Sequence, residues 1–233
     1  MLKGKNVLTN GCSFSRGRFT WPYRVQQKTN CNLVNLAMGG AGNRYILDTT
    51  IRQLQARKYD LVMIMWSGIS RVDIKVEDSS MFDRIGIATS ARQHKWFDFP
   101  ERIIHPIDES SLIEQDWVMF GPLRKNEIID TFCATSKYES IEQMEEHFAV
   151  RQFAMQSVLK SLGIPYVFMY YMGNDRIPDS IDKEHVLNHT NLGHLFTSTG
   201  RYGEDNEHPN AECQDEWSDI IIEHLKTKTY AKK

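Results

Sequence analysis

The chain has 233 residues, 41% hydrophobic and 25% charged, with a formal net charge of -2 at pH 7. That length suffices for one α/β domain with a sizeable core, and the composition is that of a soluble globular protein. The near-balanced charge gives no general drive toward nucleic acid or an anionic membrane surface, and the basic run from Lys226 to Lys233 reads as a solvated end.

Val7-Leu8-Thr9 is β-favouring and stops at Asn10-Gly11, which predicts a first strand turning into a loop. Trp21-Pro22-Tyr23 opens a helix, since proline is tolerated in a first turn. Leu33-Val34-Asn35-Leu36-Ala37 predicts a second strand, followed by Gly39-Gly40-Ala41-Gly42. From Asn43, the residues Ile46, Ile51 and Leu54 recur at helical spacing as far as Arg57. Leu61-Val62-Met63-Ile64-Met65-Trp66 is an unbroken apolar run, as in strands buried on both faces of a parallel sheet. Ser140 to Leu162 is the longest helical pattern, with Phe148, Phe153, Met155, Val158 and Leu159 along one face and Gly163 as its stop. Ile164 to Tyr171 predicts the next strand. Glu212 to Leu225 predicts the last helix, with Trp217, Ile220, Ile221 and Leu225 spaced to pack on a sheet.

Strands alternating with helices imply βαβ crossovers, hence an α/β fold: a doubly wound, mainly parallel sheet flanked by helices in three layers. No linker divides the chain, so residues 1–233 are expected to form a single domain. Residues 72–138 break the rhythm. They hold Trp96, Phe97, Phe99, Trp117 and Phe120 among many charges, with Pro100, Pro106 and Pro122, and read as an insertion or lid over the sheet edge or site mouth.

The four cysteines, Cys12, Cys31, Cys133 and Cys213, include no Cys-x-x-Cys pair, which argues against a zinc ribbon or disulfide scaffold and fits a reducing compartment. No window approaches the roughly 20 apolar residues of a membrane span, and no secretory signal is visible, so a cytoplasmic or otherwise soluble location is expected.

Two runs carry the chemistry. Ser13, in Asn10-Gly11-Cys12-Ser13-Phe14-Ser15, stands just past the first strand. A serine hydroxyl needs a neighbouring base and donors for the oxyanion it creates. Asp205 and His208 share one late loop, and an aspartate that orients a histidine makes it such a base. Ser13, Gly40, the Ser67-Gly68 turn and His208 are all expected at carboxyl ends of strands, where ligands bind in such sheets. The Gly40 N–H can meet an oxyanion because no side chain blocks close approach, or Gly40 simply permits a tight turn. Asn43 reads as a helix cap or a substrate contact. Arg71, with Arg44 second, reads as a surface ion-pair partner or as a site for an anionic substrate group. His185, His189 and His194 lack a zinc-protease signature and have the weaker claim, so neither metal nor cofactor is expected.

Together these blocks resemble the SGNH, or GDSL-type, hydrolase superfamily. Gly11-Cys12-Ser13-Phe14-Ser15 is similar to its Gly-Asp-Ser-x-Ser/Thr block, Asn35 and Gly40 match its second block, and Asp205 and His208 match its Asp-x-x-His block. The resemblance implies a three-layer SGNH/flavodoxin-like sandwich. It also implies Ser13 as nucleophile, His208 as base, Asp205 as its orienter, and the N–H groups of Ser13 and Gly40 as oxyanion donors. The expected activity is a serine esterase acting on a carboxylic ester of a small molecule or glycan, such as an O-acetyl group on a saccharide. An O-acyltransferase with the same residues, or a catalytically weak binding module on this fold, are the alternatives. Two departures stand out. Cys12 replaces the usual Asp, and the third block, Gly-x-Asn-Asp, reads Ser67-Gly68-Ile69-Ser70-Arg71, with Ile69 where the count places the Asn. Ser67, Ser70 or Asn43 are the candidates to replace that oxyanion donor.

Overall fold

The computed structural model describes residues 2–17, 19–69, 71–76, 116–120, 141–170, 177–187, 197–203 and 208–228. Its centre is a four-stranded sheet in the order β2-β1-β3-β6, with β1 at Asn6–Asn10, β2 at Asn32–Asn35, β3 at Leu61–Trp66 and β6 at Tyr166–Tyr170. Every neighbouring pair is parallel; Val7 lies opposite both Leu33 and Leu61, and Trp66 opposite Tyr170. β3 has a strand on each side, and all six of its residues are buried. Hence its unbroken apolar run.

Consecutive residues of a strand point to opposite faces. Met65 faces the layer of α1 (Trp21–Thr29) and α4 (Ala211–Thr227), where its Sδ lies 3.6 Å from the Ser15 hydroxyl that also binds the Trp21 ring. Trp66 faces the layer of α2 (Asn43–Ala56) and α3 (Ile141–Ser161), and its ring meets that of Phe148 edge-on at 5.9 Å. The three layers predicted from alternating strands and helices are thus present.

The buried stripe of α3 differs from the predicted one. Phe153 is 51% exposed, whereas Gln152 and Gln156 are buried beside Phe148, Met155 and Leu159. Both glutamines face tyrosine hydroxyls of β6: Tyr170 donates to Gln152, and Tyr166 donates to Gln156 at 3.1 Å. A buried amide is tolerated where its polar atoms find partners: both ends of the Gln156 amide are bonded, its nitrogen donating to Ser180 O at 2.9 Å, while Gln152 is held by its oxygen and its nitrogen has no partner among the described residues. Gly163 ends α3 as predicted. With φ at 64° it places the Ile164 N–H on Leu159 O and its own on Lys160 O, both at 3.0 Å, the Schellman pattern.

β4 (Val72–Val76) and β5 (Asp116–Phe120) pair antiparallel as a separate two-stranded sheet. Apart from these ten residues, the predicted insertion at 72–138 lies outside the described residues.

Asn10 ties the end of β1 to α2. Its side-chain nitrogen donates to Ile46 O, Thr49 Oγ1 and Thr50 Oγ1 at 2.9–3.1 Å, and its oxygen accepts the Gly11 N–H at 2.8 Å. Removing one member of a buried network leaves the others desolvated and unpaired. Asn10→Ala is therefore expected to cost about 3 kcal/mol in denaturant unfolding.

Candidate active site

The sheet order sets where a ligand can sit. The chain leaves β1 for β2 on one side, then returns across to β3 on the other, which opens a crevice between the carboxyl ends of β1 and β3. β1 delivers Gly11 and a 3-10 turn at Ser13–Ser15 into that crevice. A Cβ on Gly11 would stand 2.5 Å from Ser15 Oγ and 3.2 Å from Met65 O, so only glycine lets the turn fold back onto β3. Trp21 Nε1 donates to Ser15 Oγ at 3.0 Å, Asn35 Nδ2 to Ser15 O at 2.7 Å, and Gln214 Nε2 to Phe14 O at 3.3 Å. From Gly11 to Ser15 every residue is buried except Ser13, which is half-buried. The turn is fastened at its neighbours and presents Ser13.

The second turn is tied to the first. Gly11 O accepts the Met38 N–H at 3.2 Å, and Ala41 N closes a β-turn onto Met38 O at 3.1 Å. Gly40 is the third residue of that turn with φ at 80°, the conformation a type II turn needs there. Asn35, besides holding Ser15 O, accepts the Ala37 N–H at 3.1 Å. The second block therefore braces the Ser13 turn from the β2 side.

His208 arrives from the opposite end of the sequence. Residues 201–203 and 208–210 form a narrow ladder: Gly203 N donates to His208 O at 2.7 Å, and Asn210 N to Arg201 O at 3.0 Å. Asn210 then caps α4, its side chain accepting the Cys213 N–H at 2.9 Å. One turn on, Gln214 accepts the Trp21 N–H at 2.9 Å while donating to Phe14 O, which docks the start of α4 against the Ser13 turn. The result is a ring contact between His208 and Phe14, centroids 5.0 Å apart and tilted by 50°. His208 thus lies beside the residue next to Ser13. The Ser13 hydroxyl and the His208 ring are not hydrogen-bonded to each other; unliganded sites commonly close such bonds only around substrate. Asp205 lies outside the described residues.

The other expected residues fall as follows. Asn43 is 2% exposed and both ends of its amide are taken by Ser67, whose N–H it accepts at 2.8 Å and whose carbonyl it caps at 3.0 Å. It joins the end of β3 to the start of α2 and does not turn outward to meet substrate. Ser67 is buried, and its hydroxyl has no hydrogen-bond partner among the described residues. Ser70 lies outside the described residues; counted from Gly68 as the block's glycine, Ser70 rather than Ile69 takes the Asn position. Arg71 spends one guanidinium N–H on Ala41 O at 3.3 Å. Arg44 is exposed. His185 sits in a 3-10 turn, stacked on Tyr166 with centroids 4.1 Å apart, while His189 and His194 lie outside the described residues.

Two residues near this crevice have no local sequence signal. Asp73, on β4, is 3% exposed and accepts the N–H groups of Gly42 at 2.7 Å and Tyr45 at 2.9 Å. Burial pushes its carboxyl up from 3.8 to about 6, opposed by those two hydrogen bonds and then by Arg151 and Arg71. Arg16 follows the Ser13 turn. Burial draws its guanidinium below the ordinary value, with Tyr45 acting the other way.

No protein-family model and no curated protein sequence matches the chain. Solved structures do. The psychrotrophic esterase EstA from Pseudoalteromonas sp. aligns over 96% of this chain and 97% of its own, at 11% identity and a TM-score of 0.50. The acetyl xylan esterase AlAXEase aligns over 94% and 99%, at 10% identity and 0.48. A GDSL-like lipase from Bacteroides thetaiotaomicron aligns over 96% and 88%, at 12% identity and 0.35. Among the described residues no helix is long and apolar enough to cross a membrane. With its parallel sheet in the order β2-β1-β3-β6, its helices on both faces and its end-to-end superposition on EstA, the chain has the three-layer α/β fold seen in that esterase.

Proposed function

We propose that this chain is a serine esterase that cleaves a carboxylic ester through an acyl-enzyme on Ser13. The observation that carries the reading is the contact between the His208 and Phe14 rings, which brings a titratable base from the far end of the sequence to the turn that exposes Ser13. Ser13 Oγ attacks the ester carbonyl carbon and its proton passes to a His208 ring nitrogen; Asp205 holds that ring and balances the imidazolium. The N–H groups of Ser13 and Gly40 receive the developing oxyanion. The protonated ring then gives its proton to the leaving alkoxide, and water repeats the sequence to release the acid. The unpartnered Ser67 hydroxyl, at the end of β3, is the described group best placed in sequence to stand in for the missing third-block Asn. The substrate class proposed is an ester of a small acyl group, including O-acetyl groups on saccharides. EstA is an esterase by name, which agrees with an ester substrate.

A fluorophosphonate probe tests the nucleophile directly. One equivalent is expected to attach to Ser13 in the wild type and none in Ser13→Ala. Undiminished labelling of that variant would assign the chemistry to another residue.

A further inference from the structure

α2 begins without a cap of its own. Its N-cap residue is Gly42, which has no side chain to offer. The first N–H groups of a helix have no partner within it, and a capping box usually satisfies two of them with local side chains. Here one carboxylate from another strand does both jobs. Asp73 accepts from Gly42, the N-cap, and from Tyr45, the third helical residue. Arg71, directly before β4, donates to Ala41 O. The joint is close-fitting: a Cβ on Gly42 would stand 2.7 Å from Asp73 Oδ2 and 2.8 Å from Arg71 O.

These bonds fall on Ala41 and Gly42, the residues directly after Gly40. The other side of the Gly40 turn is held by Gly11 O on Met38 N, next to the nucleophile's own turn. The Gly40 peptide is therefore suspended between two anchors, one from the Ser13 side and one from β4. An oxyanion donor works only when its position is fixed beforehand, and a displacement of about 1 Å can cost roughly a hundredfold in rate.

We propose that Asp73, seconded by Arg71, is a positioning residue that fixes the Gly40 N–H for catalysis by clamping the start of α2 to β4. It touches no reacting atom. Its effect belongs in the turnover step, because the oxyanion forms only in the transition state. The proposal rests on the serine-esterase reading, and the test keeps the two apart.

The test compares wild type, Asp73→Asn and Gly42→Ala, with Ser13→Ala as the control for the reading. Asparagine can accept only one of the two N–H bonds, and alanine at 42 forces the same joint open from the other side. Stoichiometric labelling by the fluorophosphonate counts intact sites, so kcat is expressed per labelled site and is not confused with loss of folded protein. Both variants are expected to label fully, with kcat per labelled site about tenfold to a hundredfold below wild type and KM within about twofold. A purely structural role would lower the labelled fraction and leave kcat per site unchanged, and that result in the variants that fold overturns the proposal. If Asp73→Asn yields no folded protein, Gly42→Ala decides by the same criterion. A wild type that takes no label overturns the esterase reading and this proposal with it, whereas labelled variants with wild-type kcat overturn this proposal alone.

Discussion

Ser13→Ala is expected to reduce kcat for p-nitrophenyl acetate and butyrate by at least about a thousandfold, and His208→Ala by a comparable factor. Without the hydroxyl no acyl-enzyme forms. Without the imidazole the hydroxyl remains protonated and weakly nucleophilic at neutral pH. The two losses should not multiply: the double variant is expected to be about as slow as Ser13→Ala, because the residues act as one unit. Stability should stay within about 0.5 kcal/mol of wild type in Ser13→Ala, since the side chain is half-buried and its hydroxyl bonds to no other described residue. A Ser13→Ala protein that still turns over either ester at the wild-type rate would remove Ser13 from the chemistry.

The second large effect is on the pH dependence of stability. Asp73 is buried, and its carboxyl is raised from 3.8 to about 6 chiefly by loss of water. Between those values the folded chain holds a proton that the unfolded chain has released. The stabilising contribution is therefore complete below about pH 3.8 and is lost as pH rises through about 6. At 1.36 kcal/mol per pH unit the full swing is about 3 kcal/mol. Asparagine carries no such proton. Wild type should thus lose about 3 kcal/mol relative to Asp73→Asn as the pH is raised across this window, read from urea unfolding at a series of pH values. The charged and titratable groups acting on Asp73 are Arg71, just before its strand, Arg151 from α3 and Tyr45 from α2. The two arginines favour the ionised form, so replacing either should enlarge the swing. Parallel curves for wild type and variant would show that the carboxyl titrates as an ordinary exposed one. Above its titration point the protein carries a buried charge that costs stability while gripping two backbone N–H groups.

Elements with one repeating physical demand were legible in the sequence. Leu61 to Trp66 reads as a strand buried on both faces, and it has a parallel neighbour on each side. Gly163 reads as a helix stop because positive φ is cheap only there. The Ser13 turn and the loop of His208 each stand out by residue type, and the docking of α4 through Gln214 is what brings His208 against Phe14. Residues whose partners lie far along the chain were not legible. Asn43 resembles a cap or a substrate contact until its amide is seen to be consumed by Ser67. Gln152 and Gln156 break the apolar pattern of α3 because two tyrosine hydroxyls await them on β6, and Phe153, at the more obvious spacing, is left in solvent. Asp73 caps a helix whose N-cap residue, Gly42, lies 31 residues before it, and no window read along the chain contains both.

Gln214 has a bearing on how the proposed site is assembled. It grips the Trp21 N–H and the Phe14 carbonyl across sequence separations of 193 and 200 residues. Contacts of that span form late, because the intervening chain must first be ordered for the closure to be favourable. Synthesis proceeds from the amino end at about 5–20 residues per second, so a ribosome would carry the Ser13 turn for roughly ten seconds or more before α4 is made. Throughout that interval Ser13 has neither His208 beside its turn nor the glutamine that holds that turn. On the serine-esterase reading, the growing chain is expected to be inert toward esters, with activity appearing in a single step when α4 docks.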